Sequence, residues 1–200
     1  QPDEELLLET MIVSASRADQ KGRILTTNWS LVDQTSIERV APQHSNQIFN
    51  RIAGTWVSRG NGQESLIAIR SPVLTGAGSC GAFLTAEDGV PLRAPGFCNV
   101  NQLFDANLLQ AGKIEVLKGP AAIVFGSNAM HGIINVITRS VDNTPNQIRV
   151  ESGSRGYHRL SASGAGDFMA FSSQVSRYGG YQSASGYNQK KATLRIDNNW

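Results

Sequence analysis

The chain has 200 residues, of which 40% are hydrophobic, 17% are charged and 20 are glycine, and its formal net charge is +2. This apolar share is too high, and the net charge too low, for a disordered tail. A net charge of +2 also offers no broad electrostatic surface for nucleic acid. The length allows a real hydrophobic core in one or two domains, and the glycine content favours turns and extended structure over helix bundles.

The first twenty residues begin polar and acidic and contain a short β-prone run, Glu9-Thr10-Met11-Ile12-Val13. An extended run near a loose terminus suits strand addition to the sheet edge of another protein. It suits an ordinary first strand equally well, and the residues alone leave both interpretations open.

Between residues 28 and 138 the pattern predicts a mixed α+β domain of short elements. The predicted strands are Ser30–Val32, Trp56–Ser58, Leu66–Arg70, Phe83–Asp88, Ile114–Leu117 and Ile133–Thr138. A helical face carries Ile48, Phe49 and Ile52 and should stop at Gly54. Asn101–Leu109 is predicted as a second helix that buries its apolar residues Leu103, Phe104 and Leu108.

After about residue 141 the pattern changes to an alternation of apolar and polar residues. The alternation is clear in Ile148–Glu151 and in Ala192–Asp197, and weaker in Tyr157–Ser163 and Phe168–Tyr178. Such runs, separated by turns rich in glycine and serine, are typical of an antiparallel sheet or a membrane β-barrel. We therefore divide the chain into a flexible segment (1–20), a compact domain (21–141) and a region of alternating strands (142–200).

The chain offers little chemistry of its own. Its two cysteines, Cys80 and Cys98, lie in a loop-like stretch, where they form either a disulfide or two buried thiols. They lack CxxC spacing and a nearby histidine, so no metal site is expected. No nucleophile, base or paired carboxylates stand out, and we expect neither a cofactor nor an enzyme.

Residues 76–81, GAGSCG, match the glycine pattern of a dinucleotide-binding loop. A helix should begin there in such a fold, yet the chain reaches Gly89 and Pro91 soon afterwards. A soluble oxidoreductase that uses this loop is the alternative from a different functional class.

Two adjacent segments carry a resemblance to a known family. Residues 114–120, IEVLKGP, and 125–138, FGSNAMHGIINVIT, resemble the plug-domain pattern of TonB-dependent outer-membrane receptors. Three other pieces agree in order: Glu9–Val13 resembles the TonB box, Ile67–Arg70 the Ile-Arg-Gly strand, and Asp88–Leu92 the Asp-Gly-Val-Pro turn.

The resemblance implies a plug, a short mixed β-sheet with small helices, inside a transmembrane barrel of about 22 strands. Residues 142–200 would then form only about the first four antiparallel strands of that barrel, and we expect the chain to be a piece of a longer protein. The implied location is the bacterial outer membrane, in contact with its lipid, with the N-terminus facing the periplasm.

The implied function is active uptake of a scarce nutrient, a ferric siderophore by family frequency, energised through TonB. Haem, cobalamin, copper or another metal complex are the alternatives within the family. The resemblance further implies that Glu9, Thr10, Met11, Ile12 and Val13 bind the C-terminal domain of TonB as a strand. It also implies that Arg70 and Lys118 pair with acids of the barrel wall.

The loop over residues 72–98 is where the resemblance places substrate recognition. The side chains expected to face the substrate are Leu74, Phe83, Arg93 and Phe97. A Cys80–Cys98 disulfide would hold this loop in shape, which would pre-organise it for binding.

Overall fold

The computed structural model describes residues 12–13, 20–21, 28–60, 62–73, 82–92, 102–120, 125 and 129–197. In these residues a small mixed-sheet domain is followed by a four-stranded antiparallel sheet. The strands are β1 (Ile12–Val13), β2 (Gln20–Lys21), β3 (Asn28–Asp33), β4 (Thr55–Arg59), β5 (Ser65–Ile69), β6 (Phe83–Glu87), β7 (Val90–Pro91), β8 (Ala111–Lys118), β9 (Gly132–Thr138), β10 (Gln147–Gly153), β11 (Tyr157–Ala165), β12 (Met169–Tyr178) and β13 (Tyr187–Ile196).

The mixed-sheet domain is built on five strands in the order β3-β8-β9-β6-β7. Strand β6 runs parallel to β9, and the other pairs are antiparallel. The apolar run of β9 is buried on both faces, since Ile133 and Ile134 point to opposite sides and are both fully buried. One face carries the main core, with Ile134 and Val136, and the other carries a smaller cluster that includes Ile133.

Two short helices and a hairpin cover the main core. Helix α1 (Gln34–Val40) begins at Asp33, whose carboxylate accepts a hydrogen bond from the Ser36 amide at 2.7 Å. The hydrogen bonds from Ser36 also hold the pKa of Asp33 below its usual value. Helix α1 was not predicted, because its sequence QTSIERV buries one apolar residue, Ile37, and shows no helical stripe.

The helix predicted before Gly54 is present but short. Helix α2 (Asn46–Phe49) has four residues, and the chain turns from there to Gly54, whose φ of 76° is left-handed. Ile48, Phe49 and Ile52 are all buried, as predicted. The hairpin β4–β5 packs beside this helix and confirms the two strands predicted there.

The helix predicted over Asn101–Leu109 is wrong. The described part of this segment, which we call the connector (residues 102–110), consists of two 3₁₀ turns, Gln102–Phe104 and Leu108–Gln110. Leu103 and Leu108 are buried as predicted, but Phe104 is 38% exposed. The reason is tertiary: carbonyl groups in the middle of the connector accept hydrogen bonds from the four-stranded sheet instead of from a helical turn.

Strands β10–β13, called here the wall sheet, pair antiparallel in sequence order. Their side chains alternate between a polar face that meets the mixed-sheet domain and an exposed apolar face. Among the exposed residues are Ile148, Val150, Leu194 and Ile196, each more than 60% accessible. The predicted alternation after residue 141 is therefore present. The described residues contain no helix with the length and apolar character needed to cross a membrane.

Candidate functional site

A half-buried lysine makes the main contact between the wall sheet and the connector. Lys191 of β13 donates hydrogen bonds to the carbonyl oxygens of Phe104 and Ala106, both at 2.6 Å from its Nζ. The ammonium group also lies 5.8 Å from the centroid of the Phe104 ring. A single wall cation thus replaces the missing helical hydrogen bonds at the middle of the connector.

A second cation of the wall sheet binds the mixed-sheet domain at another place. Arg159 of β11 is buried and donates to the carbonyl oxygens of Ala41 at 3.0 Å and Pro42 at 2.7 Å, directly after helix α1. The same guanidinium forms an ion pair with Glu151 of β10. Cations are favourable at the carbonyl end of a helix, where the last C=O groups lack helical partners.

Neutral side chains complete the contact. Asn107 of the connector accepts a hydrogen bond from Gln174 at 3.3 Å and donates one to Thr193 at 3.4 Å. Ser172 donates to Gln110, and the amide of Gln110 donates to Glu87 at 3.0 Å. Burial, and next the charge of Asp88, raise the pKa of Glu87. The connector therefore joins β12 and β13 to the end of β6 through side-chain hydrogen bonds.

Arg70 and Lys118 lie next to each other, although 48 positions of sequence separate them. Lys118 ends β8 and is buried, and its Nζ donates to the Ser30 hydroxyl at 2.7 Å. Burial, and next the positive charge of Arg70, lower the pKa of Lys118. Arg70 follows β5 with a φ of 51° and donates its amide to Gly54. Within the described ranges, no carboxylate forms an ion pair with either cation.

Most of the other predicted site residues lie outside the described residues. This holds for Glu9, Thr10, Met11, Leu74, Cys80, Arg93, Phe97 and Cys98. Of the N-terminal run, Ile12 and Val13 form β1, which pairs antiparallel with Lys21 and Gln20 of β2. Phe83 was expected in a loop that faces the substrate, but it begins β6 and is 6% exposed in the main core, with its ring 5.8 Å from that of His131.

Lys191, Arg159 and Gln174 are not among the residues predicted from the sequence. The alternation after residue 141 does assign all three to the same face of the wall sheet, so a signal for their direction was present. Their partners are main-chain carbonyls and an amide side chain, which no sequence motif marks.

A model of the TonB-dependent Receptor Plug Domain family matches residues 23–133, more than half of the chain. The chain belongs to this family. The resemblance read from the plug-domain segments is thereby confirmed, and the mixed-sheet domain is the plug. The match also places the chain in a family of receptors and transporters rather than enzymes, and it does not favour the oxidoreductase alternative.

Solved structures of outer-membrane receptors share the fold of the plug and of the first wall strands. The ferric yersiniabactin uptake receptor from Yersinia pestis superposes with a TM-score of 0.63 at 18% identity, over 86% of this chain and 29% of that one. The pyoverdine outer-membrane receptor from Pseudomonas aeruginosa gives 0.64 at 15% identity, over 96% and 28%. The alcaligin outer-membrane receptor from Bordetella pertussis gives 0.61 at 16% identity, over 85% and 29%.

The chain thus spans less than a third of the length of the receptors that it matches. At these identities the likeness concerns the fold: a plug with a short mixed sheet and few helices, followed by the antiparallel strands that open an incomplete barrel. That predicted fold class is confirmed.

Proposed function

We propose that the full-length protein is a TonB-dependent transporter that carries a ferric siderophore across the bacterial outer membrane. The plug carries this proposal, because it belongs to the TonB-dependent receptor family and its fold recurs in receptors named for yersiniabactin, pyoverdine and alcaligin. The activity is that of a receptor and transporter, so the plug itself supplies contacts and movement rather than chemistry.

The wall sheet supports the membrane location. Its outer face is apolar and its inner face polar, with the alternation of side chains that transmembrane barrel strands require between lipid and lumen. In the inner face, Arg159 and Lys191 are held by the plug, as described above. We propose that these strands open a barrel whose lumen the plug fills, with the N-terminal segment on the periplasmic side.

The N-terminal run supports coupling to TonB. We propose that Glu9–Val13 binds the C-terminal domain of TonB by strand addition, in which main-chain hydrogen bonds supply the affinity. Ile12 and Val13 already have extended backbone in β1. Force applied through such a strand would be transmitted along the chain to the plug.

Two plug cations that have no carboxylate partner among the described residues support contacts with the rest of the barrel. We propose that Arg70 and Lys118 pair with carboxylates of barrel strands other than β10–β13. A buried lysine is unfavourable unless a charge or several hydrogen bonds compensate it, and Lys118 has the single hydroxyl of Ser30 among the described residues.

This pairing predicts that Lys118→Met destabilises the plug of the full-length receptor by about 3 kcal/mol, because a buried carboxylate then loses its cation. Amide hydrogen exchange of β8 in the purified receptor should accelerate about a hundredfold. Lys190→Met, at an exposed lysine on the outer face of β13, is the matched control and should leave β8 unchanged. Slower exchange after Lys118→Met would show instead that Lys118 is an uncompensated cation.

For substrate recognition we propose the loop over residues 72–98, with Leu74, Arg93 and Phe97 in contact with the chelate and a Cys80–Cys98 disulfide holding its shape. Phe83 would support this loop rather than contact the chelate, since it packs in the core at the start of β6. A substrate-bound structure of the receptor in which this loop makes no contact would refute the assignment.

The transport function is tested by uptake into cells that express the full-length protein, with and without a functional TonB. We offer radiolabelled iron as a panel of ferric siderophores and, in parallel assays, labelled haem, cobalamin and copper. Accumulation of at least one ferric siderophore should depend on both the protein and TonB. Uptake of haem, cobalamin or copper alone would change the substrate class, and uptake independent of TonB would refute the mechanism.

A further inference from the structure

A cavity of about 60 Å³ lies between the plug and the inner face of the wall sheet. It is lined by part of the connector and by residues of all four strands of the wall sheet. The charged side chains that line it are Glu38, Arg139, Arg149, Glu151 and Arg195. A cavity of this size has room for a group of a few heavy atoms, such as a carboxylate.

All but one of these charges have a partner. Glu38 forms an ion pair with Arg139 at 3.1 Å, Glu151 with Arg159, and Arg195 with Asp197 at 2.6 Å. For the side chain of Arg149, the described residues provide neither an ion pair nor a hydrogen bond. One positive charge in the lining of the cavity is therefore unbalanced.

Two further donors lie beside this guanidinium on the same face. Ser161 of β11 is the direct cross-strand neighbour of Arg149, and Gln147 is two residues before it on β10. Neither side chain forms a hydrogen bond with another residue of the described ranges. Their neighbour Ser163, by contrast, uses its hydroxyl to bind the carbonyl of Pro145 at 2.7 Å.

The inner row that contains Arg149 is divided into two halves. Along the register it runs from Arg149 through Ser161 and Gln174 to Lys191. The plug occupies the second half, because Gln174 binds Asn107 and Lys191 binds the connector carbonyls. The first half faces the cavity with its donors unused.

The charge of Arg149 also acts on a second cation of the lining, Arg139. Burial is the main cause that lowers the pKa of the neighbouring Arg139, and the charge of Arg149 lowers it further against the opposing effect of Glu38. An anion placed here would relieve this repulsion.

We propose that Arg149, Ser161 and Gln147 form a binding site for a carboxylate-bearing small molecule in the gap between plug and wall. A guanidinium binds a carboxylate through two parallel hydrogen bonds, and a hydroxyl and an amide supply further donors. One unbalanced positive charge matches a singly charged carboxylate better than a doubly charged phosphate. If the proposed transport function holds, the carboxylate belongs to the transported chelate, which meets this site after it leaves the outer loops.

The test uses the purified full-length receptor with Ser161→Cys, which places a thiol, itself a weak donor, in the site. Two methanethiosulfonate reagents of opposite charge modify this thiol: the sulfonatoethyl reagent is negative and the trimethylammonium-ethyl reagent is positive. We measure the rate at which each reagent modifies residue 161 by mass spectrometry of the peptide that contains it. Arg149→Gln should lower the ratio of the rate with the anionic reagent to the rate with the cationic reagent about fivefold or more. The reason is that loss of the positive charge slows the anionic reagent and speeds up the cationic one. Arg149→Lys should retain most of the ratio.

Occupancy is measured with lactate as the probe, at fixed ionic strength with chloride as the balancing salt. Lactate should slow the modification of residue 161 with Arg149 present and not with Arg149→Gln, and phosphate should protect less than lactate. Ser154→Cys, in the exposed turn between β10 and β11 and outside the lining of the cavity, is the control and should respond to neither change. If Ser161→Cys fails to insert, Thr144→Cys in the lining of the same cavity replaces it.

The proposal is overturned if Arg149→Gln leaves the rate ratio unchanged, or if lactate does not slow the modification of residue 161. Stronger protection by phosphate than by lactate overturns the carboxylate assignment. These measurements need no TonB, so the anion site and the transport function can fail independently of each other.

Discussion

We expect Thr10→Pro to abolish TonB-dependent uptake by the full-length receptor, while Thr10→Ala retains most of it. In strand addition the backbone of the added segment supplies the hydrogen bonds, so an alanine side chain suffices. Proline removes the N–H donor and fixes φ. A loss of about 3 kcal/mol would weaken the pairing with TonB about a hundredfold.

Substrate binding separates this effect from a damaged receptor. Both Thr10 variants should bind the ferric chelate as the unchanged receptor does, since the run Glu9–Val13 lies far in sequence from the loop proposed to contact the substrate. Leu7→Pro, two residues before the run, is the matched control for proline itself and should support uptake. Normal uptake by Thr10→Pro would remove Glu9–Val13 as the coupling strand.

The largest expected effect on stability is that of Gly132→Val. Gly132 is the first residue of β9, between β8 and β6, and it is buried. A Cβ atom at this position would approach the carbonyl oxygen of Leu117 to 2.5 Å and the Cδ1 atom of Ile69 to 3.0 Å. The carbonyl belongs to a strand in the middle of the sheet and cannot move aside, so we expect a loss of about 3 kcal/mol or more.

Hydrogen exchange of β8 and β9 in the full-length receptor would measure this loss, with limited trypsin digestion of the plug as a second readout. Gly166→Ala is the control, because a Cβ atom there meets no atom within 4 Å. We expect Gly166→Ala to leave exchange and digestion unchanged. If β8 and β9 are protected from exchange as well in Gly132→Val as in the unchanged receptor, the sheet accommodates the side chain by a shift of its strands.

Much of the fold could be predicted because local pattern and tertiary environment agree. The β-branched run that forms β9 matches the environment of a buried central strand. The alternation that forms β10 matches a strand between apolar and polar surroundings. Where the two disagree, the prediction was wrong or missing. Helix α1 buries only Ile37, and the connector forms 3₁₀ turns because Lys191 binds its carbonyls.

The candidate site residues likewise include features that the sequence predicts and features that only the packing reveals. Residues such as Arg70 and Lys118 could be named from motifs, but their proximity beside Gly54, and the burial of Lys118, come from the tertiary packing. Phe83 was predicted to face a substrate, and the sheet instead buries it at the start of β6. Arg149 showed no motif, and its unused charge is visible only once its neighbours are seen to be paired.

By itself, the sequence determined the family, the order of the main strands and the face on which each wall side chain lies, because these depend on motifs and on short-range periodicity. The tertiary structure alone decided which charges are paired, which carbonyls the wall cations bind and where a cavity remains. Those features arise when segments more than 80 positions apart, such as the connector and β13, meet in space. Hydrogen bonds to main-chain carbonyls leave no trace in the side-chain sequence of their acceptors, so no reading of the sequence could have located them.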